Sequence, residues 1–131
     1  MSTSALTADS RCPCLSGETY GNCCARFHSG TAAAPTAEAL MRSRYSAFVV
    51  GNASYLLATW HPDHRPDQLD LDPELEWRRL DILSTSGGGP LDATGTVEFT
   101  AHYRQDGKRG SQHELSRFVR EDGQWLYLDG V

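Results

Sequence analysis

The sequence is short of lysine, of long apolar runs and, beyond residue 24, of cysteine. No apolar run exceeds four residues, as in Ala47–Val50, whereas a membrane-spanning helix needs about 20, so no membrane association is expected. Residues 1–10 lack the apolar stretch of a secretory signal, which predicts a cytoplasmic protein. Lys108 is the single lysine beside eleven arginines, no basic run occurs and the net charge is −5. Nucleic-acid binding through phosphate neutralisation is therefore not favoured.

What remains is the composition of an ordinary globular protein. The chain has 131 residues, of which 39% are hydrophobic and 22% charged. That length suits one apolar core and is too short for two sizeable ones. A single folded domain is expected, preceded by a short segment that contains all four cysteines.

All four cysteines fall within one short segment, Cys12-Pro-Cys14 followed eight residues later by Cys23-Cys24. A disulfide framework would spread cysteines along the chain, and bridging Cys12 to Cys14 or Cys23 to Cys24 would strain the ring. Four thiolates this close suit one tetrahedral Zn²⁺, and the turn-rich segment between the pairs allows them to fold together. The alternative is four free, reduced cysteines without a metal.

The adjacent pair is the difficult part of this assignment. Neighbouring side chains point apart in a strand and are separated by about 100° in a helix, so one of the two could miss the metal. If residues 23–28 form a helical turn, His28 lies four residues after Cys24 and is the substitute fourth ligand.

The segment Cys12-Pro-Cys-Leu-Ser-Gly-Glu-Thr-Tyr-Gly-Asn-Cys-Cys24 resembles the SEC-C zinc motif. The resemblance implies that Cys12, Cys14, Cys23 and Cys24 bind a structural Zn²⁺. Leu15 stands where that motif usually has glycine, and Glu18 and Gly21 stand where lysine is frequent. Four sulfur ligands leave no open coordination position, so catalysis by a metal-bound water is not expected.

Two helices are predicted after a short linker at residues 31–35. The first runs from the N-cap Thr36 to Val50 and stops at Gly51. Its apolar face is predicted to consist of Ala37, Leu40, Met41, Tyr45 and Phe48. The second covers residues 53–60, before Pro62.

From residue 76 the hydrophobic period changes to two, which predicts four antiparallel strands. Their predicted ranges are 77–84, 94–105, 109–121 and 124–129. Asp106-Gly107 and Asp122-Gly123 have the composition of tight hairpin turns. A sheet with one apolar face needs a cover, and the two helices supply it, so the fold class is α+β.

Helices followed by a long meander resemble the nuclear-transport-factor-2-like (cystatin-like) cone, in which helices pack on a curved antiparallel sheet. With the zinc motif in front, nearly the whole chain resembles the YchJ-like family, and that resemblance implies an architecture but no particular reaction. It predicts a tail at residues 1–10, a SEC-C zinc knuckle at 11–30 and the nuclear-transport-factor-2-like domain at 31–131. The segments that carry it are the cysteine motif, Thr36–Phe48, Tyr55–His61, His113–Phe118 and Trp125–Tyr127.

Arg44 falls in the middle of the apolar face of the first helix. It either snorkels to the edge or pairs with a buried carboxylate, and Glu114 is the candidate partner because it shares a strand face with Phe118. Such a pair would hold the first helix to the sheet, or would mark a pocket inside the cone. The residues expected around that space are Tyr45, Trp60, Phe118, Trp125 and Tyr127.

Two further groups of polar residues contain side chains that bind metals or protons. His61, Asp63 and His64 could bind a second metal, although their spacing matches no common site and a solvated loop is the simpler interpretation. Glu98 and His102 are expected on the solvated strand face.

The sequence thus favours a non-catalytic zinc-binding adaptor that contacts a protein partner through the knuckle. The alternative is a small-molecule-binding protein or acid–base enzyme that uses the cone pocket, with Glu114, Arg44 and Tyr45 inside it.

Overall fold

The computed structural model describes residues 7–72 and 74–130. Within these ranges three helices precede four strands. The sequence predicts the second and third helices and all four strands, whereas a helical turn at residues 23–28 is only a condition for the His28 alternative. The elements are α1 (Cys24–His28), α2 (Ala37–Val50), α3 (Ala53–Ala58), β1 (Leu75–Gly87), β2 (Thr94–Gln105), β3 (Lys108–Glu121) and β4 (Gln124–Gly130). Within the described ranges, no helix is both long enough and apolar enough to cross a membrane.

The four strands form one antiparallel meander in the order β1-β2-β3-β4. Both predicted hairpin turns are confirmed. Asp106 and Gly107 have φ values of 52° and 77°, and Asp122 and Gly123 have 53° and 79°, as a two-residue turn between twisted strands requires. Irregular pairing between Trp77 and Arg79, and again between Ile82 and Ser84, bends β1. The bends add to the curvature of the sheet.

Helix α2 begins and ends where the sequence predicts. The Thr36 side chain accepts a hydrogen bond from the Ala39 N–H at 3.0 Å, and Gly51 ends the helix with φ 75°. The Ala37 N–H also donates to the Gly88 carbonyl at 2.9 Å. A Cβ at position 88 would lie 2.7 Å from the Ala37 Cβ, so glycine there allows the start of α2 to approach the sheet closely.

Several element boundaries differ from the predictions, and at two of them strand pairing prevails over local propensity. Helix α3 ends at Ala58 rather than 60, since the Thr59 carbonyl accepts from the Tyr127 N–H at 2.8 Å. That bond and the return bond from the His61 N–H fasten the end of α3 to β4. Strand β1 extends to Gly87, beyond the predicted 84, because its pairing with β2 continues to Gly95.

The apolar core lies between α2 and the concave face of the sheet. It joins residues of α2 to strand residues and to Phe27 of α1. Its fully buried members include Leu40, Val97 and Phe118. The fold class is therefore α+β, as predicted.

Helix α2 is buried on more sides than one amphipathic face. Ser43, Ser46 and Ala47 are fully buried as well as the predicted core residues, whereas Phe48 is only half-buried. The second buried side is covered by α3 and by the cysteine-containing segment, so α2 is the central element of the molecule.

The predicted tail is only partly described, because residues 1–6 lie outside the described ranges. Residues 7–10 form a turn that hydrogen-bonds to the cysteine segment. The Ala8 carbonyl accepts from the Gly21 N–H at 2.9 Å, and the Ser10 carbonyl accepts from the Tyr20 N–H at 2.7 Å.

Candidate metal centre and cone cavity

The knuckle, residues 11–30, is folded by a small set of backbone hydrogen bonds that bring its two cysteine pairs together. The Cys12 N–H donates to the Glu18 carbonyl at 2.9 Å and the Leu15 N–H donates to the Cys12 carbonyl at 3.0 Å. Leu15 has φ 65°, a left-handed conformation that is unfavourable for a leucine. That conformation explains why the resembling motif usually has glycine at this position.

The adjacent cysteines both reach the centre because the backbone changes direction between them. Cys23 is the N-cap of α1, with φ −129° and ψ −108°, and Cys24 is the first helical residue. Neither strand nor helix geometry applies to the pair, and their Sγ atoms lie 3.9 Å apart. Adjacent side chains diverge in a regular strand or helix, but at this helix start the side chains of Cys23 and Cys24 can both face the same metal ion.

The four Sγ atoms of Cys12, Cys14, Cys23 and Cys24 all lie within 4.8 Å of one another. The Cys14 and Cys23 sulfurs are 3.6 Å apart. Zn–S bonds of about 2.3 Å place the corners of a tetrahedron about 3.8 Å apart, and the distances of 3.6 and 3.9 Å lie on either side of that value. The donor set and its spacing therefore fit one thiophilic divalent metal ion.

Charge favours the same conclusion. Hydrogen bonds from Cys14 and Cys24 lower the pKa of Cys12. The same bonding to Cys12 raises the pKa of Cys14 to about 11 and also raises that of Cys24. The protein groups alone thus favour one thiolate shared by its neighbours. Full deprotonation of the set needs a cation among the sulfurs.

Side chains from the knuckle and from α2 surround the sulfurs. Ser46 Oγ lies 3.6 Å from Cys12 Sγ, and Ser16 Oγ lies 3.2 Å from Cys23 Sγ. Arg42 donates through Nη1 to the Cys14 carbonyl at 2.7 Å. Polar contacts of this kind orient sulfur ligands and attach the knuckle to α2.

His28, the predicted substitute ligand, is not part of the sulfur cluster. Its Nε2 is 2.8 Å from the Ser43 carbonyl and its Nδ1 is 2.6 Å from the Tyr20 hydroxyl. A carbonyl can only accept, so Nε2 carries the proton and Tyr20 donates to Nδ1. His28 therefore joins the knuckle to α2, and burial lowers its pKa.

A cavity of about 280 Å³ lies between α2 and the sheet, and we call it the cone cavity. Five of the residues predicted for an internal space line it: Arg44, Tyr45, Trp60, Glu114 and Tyr127. Phe118 and Trp125 do not line it. Phe118 packs behind Tyr127, with ring centroids 5.8 Å apart, and Trp125 donates through its indole to the Pro35 carbonyl.

The predicted Arg44–Glu114 ion pair is not formed. Arg44 donates through Nη1 to the Leu56 carbonyl at 2.8 Å and to Thr59 Oγ1 at 2.7 Å. Glu114 instead accepts from the Ser116 and Tyr127 hydroxyls through Oε2. The Tyr127 ring lies between the two charges, with the Arg44 guanidinium carbon 4.6 Å from its centroid. Snorkelling is also ruled out, since Arg44 is only 4% exposed.

The remaining polar candidates form surface pairs. His61 binds Glu121, with Nε2 2.9 Å from Oε2, and the described residues contain no second cluster of three metal-binding side chains. Glu98 pairs with His113 at 2.7 Å, and His102 pairs with Asp81 at 2.9 Å. Both pairs lie on the polar strand face, as expected.

Sequence reasoning missed several residues around the sulfur cluster and several that line the cone cavity. Ser43, Ser46 and Arg42 were assigned to no site because small or charged residues off an apolar stripe are typical of a solvent face. Trp77, Phe99 and Gln112 line the cone cavity. The alternation of polar and apolar residues along the strands puts Phe99 on the core face, which was a usable signal, whereas the bend in β1 conceals the orientation of Trp77.

Comparison with known proteins gives consistent results over most of the chain. The family model described as "YchJ, middle NTF2-like domain" matches residues 36–130, and the SEC-C motif model matches residues 10–26. A UPF0225 protein of Streptomyces coelicolor is 62% identical over 119 residues, which cover 91% of this chain and 93% of the relative. A UPF0225 protein of Corynebacterium glutamicum is 58% identical, over 92% of this chain and 95% of the relative.

Two solved structures share this fold. The solution structure of a SEC-C motif containing protein from Rhodopseudomonas palustris has a TM-score of 0.81 and 37% identity, covering 92% of this chain and 96% of its own. The crystal structure of a SEC-C motif containing protein from Psychrobacter arcticus has a TM-score of 0.78 and 29% identity, covering 93% of this chain and 82% of its own.

Proposed function

Because the chain belongs to the YchJ-like family, with a SEC-C motif before the family's NTF2-like domain, we propose that it is a non-catalytic binding protein organised around one structural Zn²⁺ ion. Cys12, Cys14, Cys23 and Cys24 are the proposed ligands. The observation that carries this proposal is the convergence of four Sγ atoms within 4.8 Å of one another.

A structural role follows from the proposed ligand set. Four thiolates fill a tetrahedral zinc ion and leave no position for water or substrate. Three of the four cysteines are buried and Cys23 is half-buried. The ion would supply the cohesion of the knuckle, because the buried residues of that cluster are the cysteines themselves.

Metal analysis of the native protein tests this assignment. We expect one zinc per chain by plasma mass spectrometry, and sulfur-to-metal charge-transfer bands after replacement by Co²⁺. Cys14→Ser should lose the metal, whereas Ser54→Ala, an exposed serine of α3, should retain it. Purified metal-free protein that is fully ordered through residues 11–28 would refute the structural role.

We further propose that the knuckle contacts a protein partner. Leu15 supports this idea, because it is 45% exposed and has φ 65°. A leucine in the left-handed region costs about 1–2 kcal/mol, which glycine would avoid. Strain of this kind at an exposed apolar side chain is typical of a functional contact. Ser16, Gly17 and Glu18 extend the exposed surface beside it.

The matched experiment replaces one exposed leucine at a time. Leu15→Gly should reduce recovery of a specific partner in affinity capture from the source bacterium. Leu91→Gly should leave recovery unchanged, since Leu91 is 94% exposed in the β1–β2 loop, outside the knuckle. Equal recovery with both variants would contradict a contact through the knuckle. We expect this interaction in the cytoplasm and without nucleic acid.

A second candidate function is favoured by the cone cavity. A space of about 280 Å³ lined by Arg44 and Glu114 suits binding of a small molecule or, with Glu114 as proton acceptor, acid–base chemistry. Native mass spectrometry of zinc-loaded protein tests for a retained small molecule. Release of the same molecule from wild type but not from Tyr45→Trp, which would fill the space, would support it.

A further inference from the structure

Arg44 is a buried cation whose charge has no direct carboxylate partner. Arg44 is only 4% exposed. Its guanidinium forms no ion pair with any described residue. A buried charge without a counter-charge is costly. Burial lowers the pKa of Arg44 to about 10, so the guanidinium remains protonated at neutral pH.

The bonds that Arg44 makes leave part of the guanidinium available. Nη1 donates to the Leu56 carbonyl and to Thr59 Oγ1, while Nε and Nη2 donate to no described residue. Neither of these two nitrogens is among the fully enclosed, unpartnered polar atoms. Arg44 lines the cone cavity, so this free edge, formed by Nε and Nη2, is the part of the guanidinium left for a ligand in that space.

Trp60 holds a second unpartnered donor next to Arg44, enclosed behind the surface of the cavity. Its Nε1 is the one fully buried side-chain nitrogen or oxygen without a hydrogen-bond partner among the described residues. The Arg44 guanidinium carbon lies 5.4 Å from the Trp60 ring centroid. Such a donor is costly to leave unpaired.

The Glu114 carboxylate does not supply a partner to either of these donors. Glu114 already accepts from Ser116 and Tyr127 through Oε2, and those bonds keep its carboxylate away from Arg44. Most of the remaining wall is aromatic or aliphatic, including Tyr45, Phe48 and Trp77. At about 280 Å³, the cavity lies at the small end of ligand sites.

From these observations we propose that the cone cavity binds a small monocarboxylate with an apolar body. The carboxylate accepts from the free edge of Arg44, a charge-assisted geometry that guanidinium favours. A small movement of the indole lets Trp60 Nε1 donate to the same group. The apolar body packs against the aromatic wall. This inference rests on the cavity being a ligand site, the second candidate function above.

A panel of three probes of equal size tests the ligand class. Phenylacetate carries the carboxylate, phenylacetamide is its neutral counterpart and phenethylamine carries a cation. Binding to the zinc-loaded full chain is measured by calorimetry and by the indole N–H signal of Trp60 in ¹⁵N NMR. We expect phenylacetate to bind at least about tenfold more tightly than phenylacetamide, the ratio expected for one charge-assisted hydrogen bond.

Two variants of opposite effect locate the carboxylate. Arg44→Met keeps the side-chain volume and should abolish the preference for phenylacetate. Glu114→Gln removes a nearby negative charge and should tighten phenylacetate binding by a few fold without changing phenylacetamide binding. Arg109→Met, an exposed arginine on the outside of the sheet, is the control and should change nothing. If Arg44→Met does not fold, the effect of Glu114→Gln on phenylacetate binding still tests whether a carboxylate is bound in the cavity.

The outcomes separate the ligand class from the existence of a site. Equal binding of phenylacetate and phenylacetamide, with a shifted Trp60 signal for both, overturns the carboxylate assignment and keeps the cavity as a site. No binding of any probe overturns both. Selective phenylacetate binding that Arg44→Met abolishes supports both.

Discussion

The knuckle and the domain that follows it, residues 31–130, which we call the cone domain, are held together by different means. The buried cluster of the knuckle consists of Cys12, Cys14 and Cys24, with Tyr20 and Cys23 packed against it. Among the described residues, the core of the cone domain has twelve buried apolar members, eleven from the linker, α2 and the strands and one, Phe27, from α1 of the knuckle. Stability in the first region is concentrated at one point, and in the second it is distributed.

The two regions therefore differ in how a single substitution should affect their stability. Loss of one sulfur removes the centre of the knuckle, whereas loss of one core side chain leaves the other contacts of the cone domain in place. The two regions meet along α2, through Ser46 and Ser43, so their independence has a limit.

Metal removal should unfold the knuckle and leave the sheet. Zinc binding in small zinc domains contributes on the order of 10–16 kcal/mol. Apart from Phe27, which packs in the core of the cone domain, the buried hydrophobic residues described in the knuckle are cysteines. After chelation, or in Cys14→Ser, amide hydrogen exchange should lose protection in residues 11–28 and retain it in β2 and β3. Equal loss of protection in both regions would show that the two regions fold as one unit.

Phe118→Ala should reverse that pattern. Phe118 is 2% exposed in the core of the cone domain, and truncation of a buried phenylalanine costs about 3–5 kcal/mol. The free energy of unfolding, measured in urea by far-ultraviolet circular dichroism, should fall by that amount while one zinc per chain is retained. Zinc loss under native conditions would contradict the separation of the two cores.

His28 tests the contact between the regions. Burial lowers the pKa of His28 below its usual 6.5, so the unfolded chain takes up a proton on this side chain before the folded one does. Its contribution to stability is therefore complete above about pH 6.5 and is lost as the pH falls through the lowered folded-state value. Unfolding free energies of the zinc-loaded protein between pH 7.5 and about 5.5 should show this decline.

The matched variant for that measurement is His28→Gln, which does not titrate in this range. It should unfold with a free energy lower by about 1–3 kcal/mol at pH 7.5, because Tyr20 or the Ser43 carbonyl loses its partner. It should also show a shallower decline with pH than wild type. The difference between the two proteins isolates His28 from acid effects on the thiolates, and identical slopes would rule out its contribution.

The smallest expected effect is a gain in stability from Leu15→Gly. Glycine adopts φ 65° without the steric cost that leucine pays, a difference of about 1 kcal/mol. The midpoint of knuckle unfolding during a chelator titration should therefore rise slightly. A lower midpoint would mean that the Leu15 side chain stabilises the knuckle by packing rather than straining it.

Much of the architecture was accessible from local signals. The Thr36 cap, Gly51, the two Asp-Gly turns and the period of two in the strands each specify a local backbone conformation, and all were confirmed. The spacing of the cysteines likewise predicted their approach. Boundaries were less accurate at α3 and β1, where hydrogen bonds between distant segments replaced the local preference.

The partners of Arg44 show where local reasoning fails. Sequence pattern placed Arg44 and Glu114 toward the same interior and suggested that they pair. The structure assigns Arg44 to the Leu56 carbonyl and Thr59, because the end of α3 is fastened to β4 beside it. Whether Arg44 bonds to Glu114 or to the end of α3 depends on distances between segments that are far apart in the chain, and the hydrophobic pattern of the sequence does not give those distances.

The sequence by itself determined the elements, their order, the turns and the cluster of four sulfurs, because each depends on residues close together in the chain. Three features depend on tertiary packing: the knuckle packs on the serine side of α2, His28 joins the two regions, and the cone cavity contains an Arg44 that forms no ion pair with any described residue. Those features depend on how surfaces far apart in the chain fit together, and shape complementarity of that kind is not written in any local pattern.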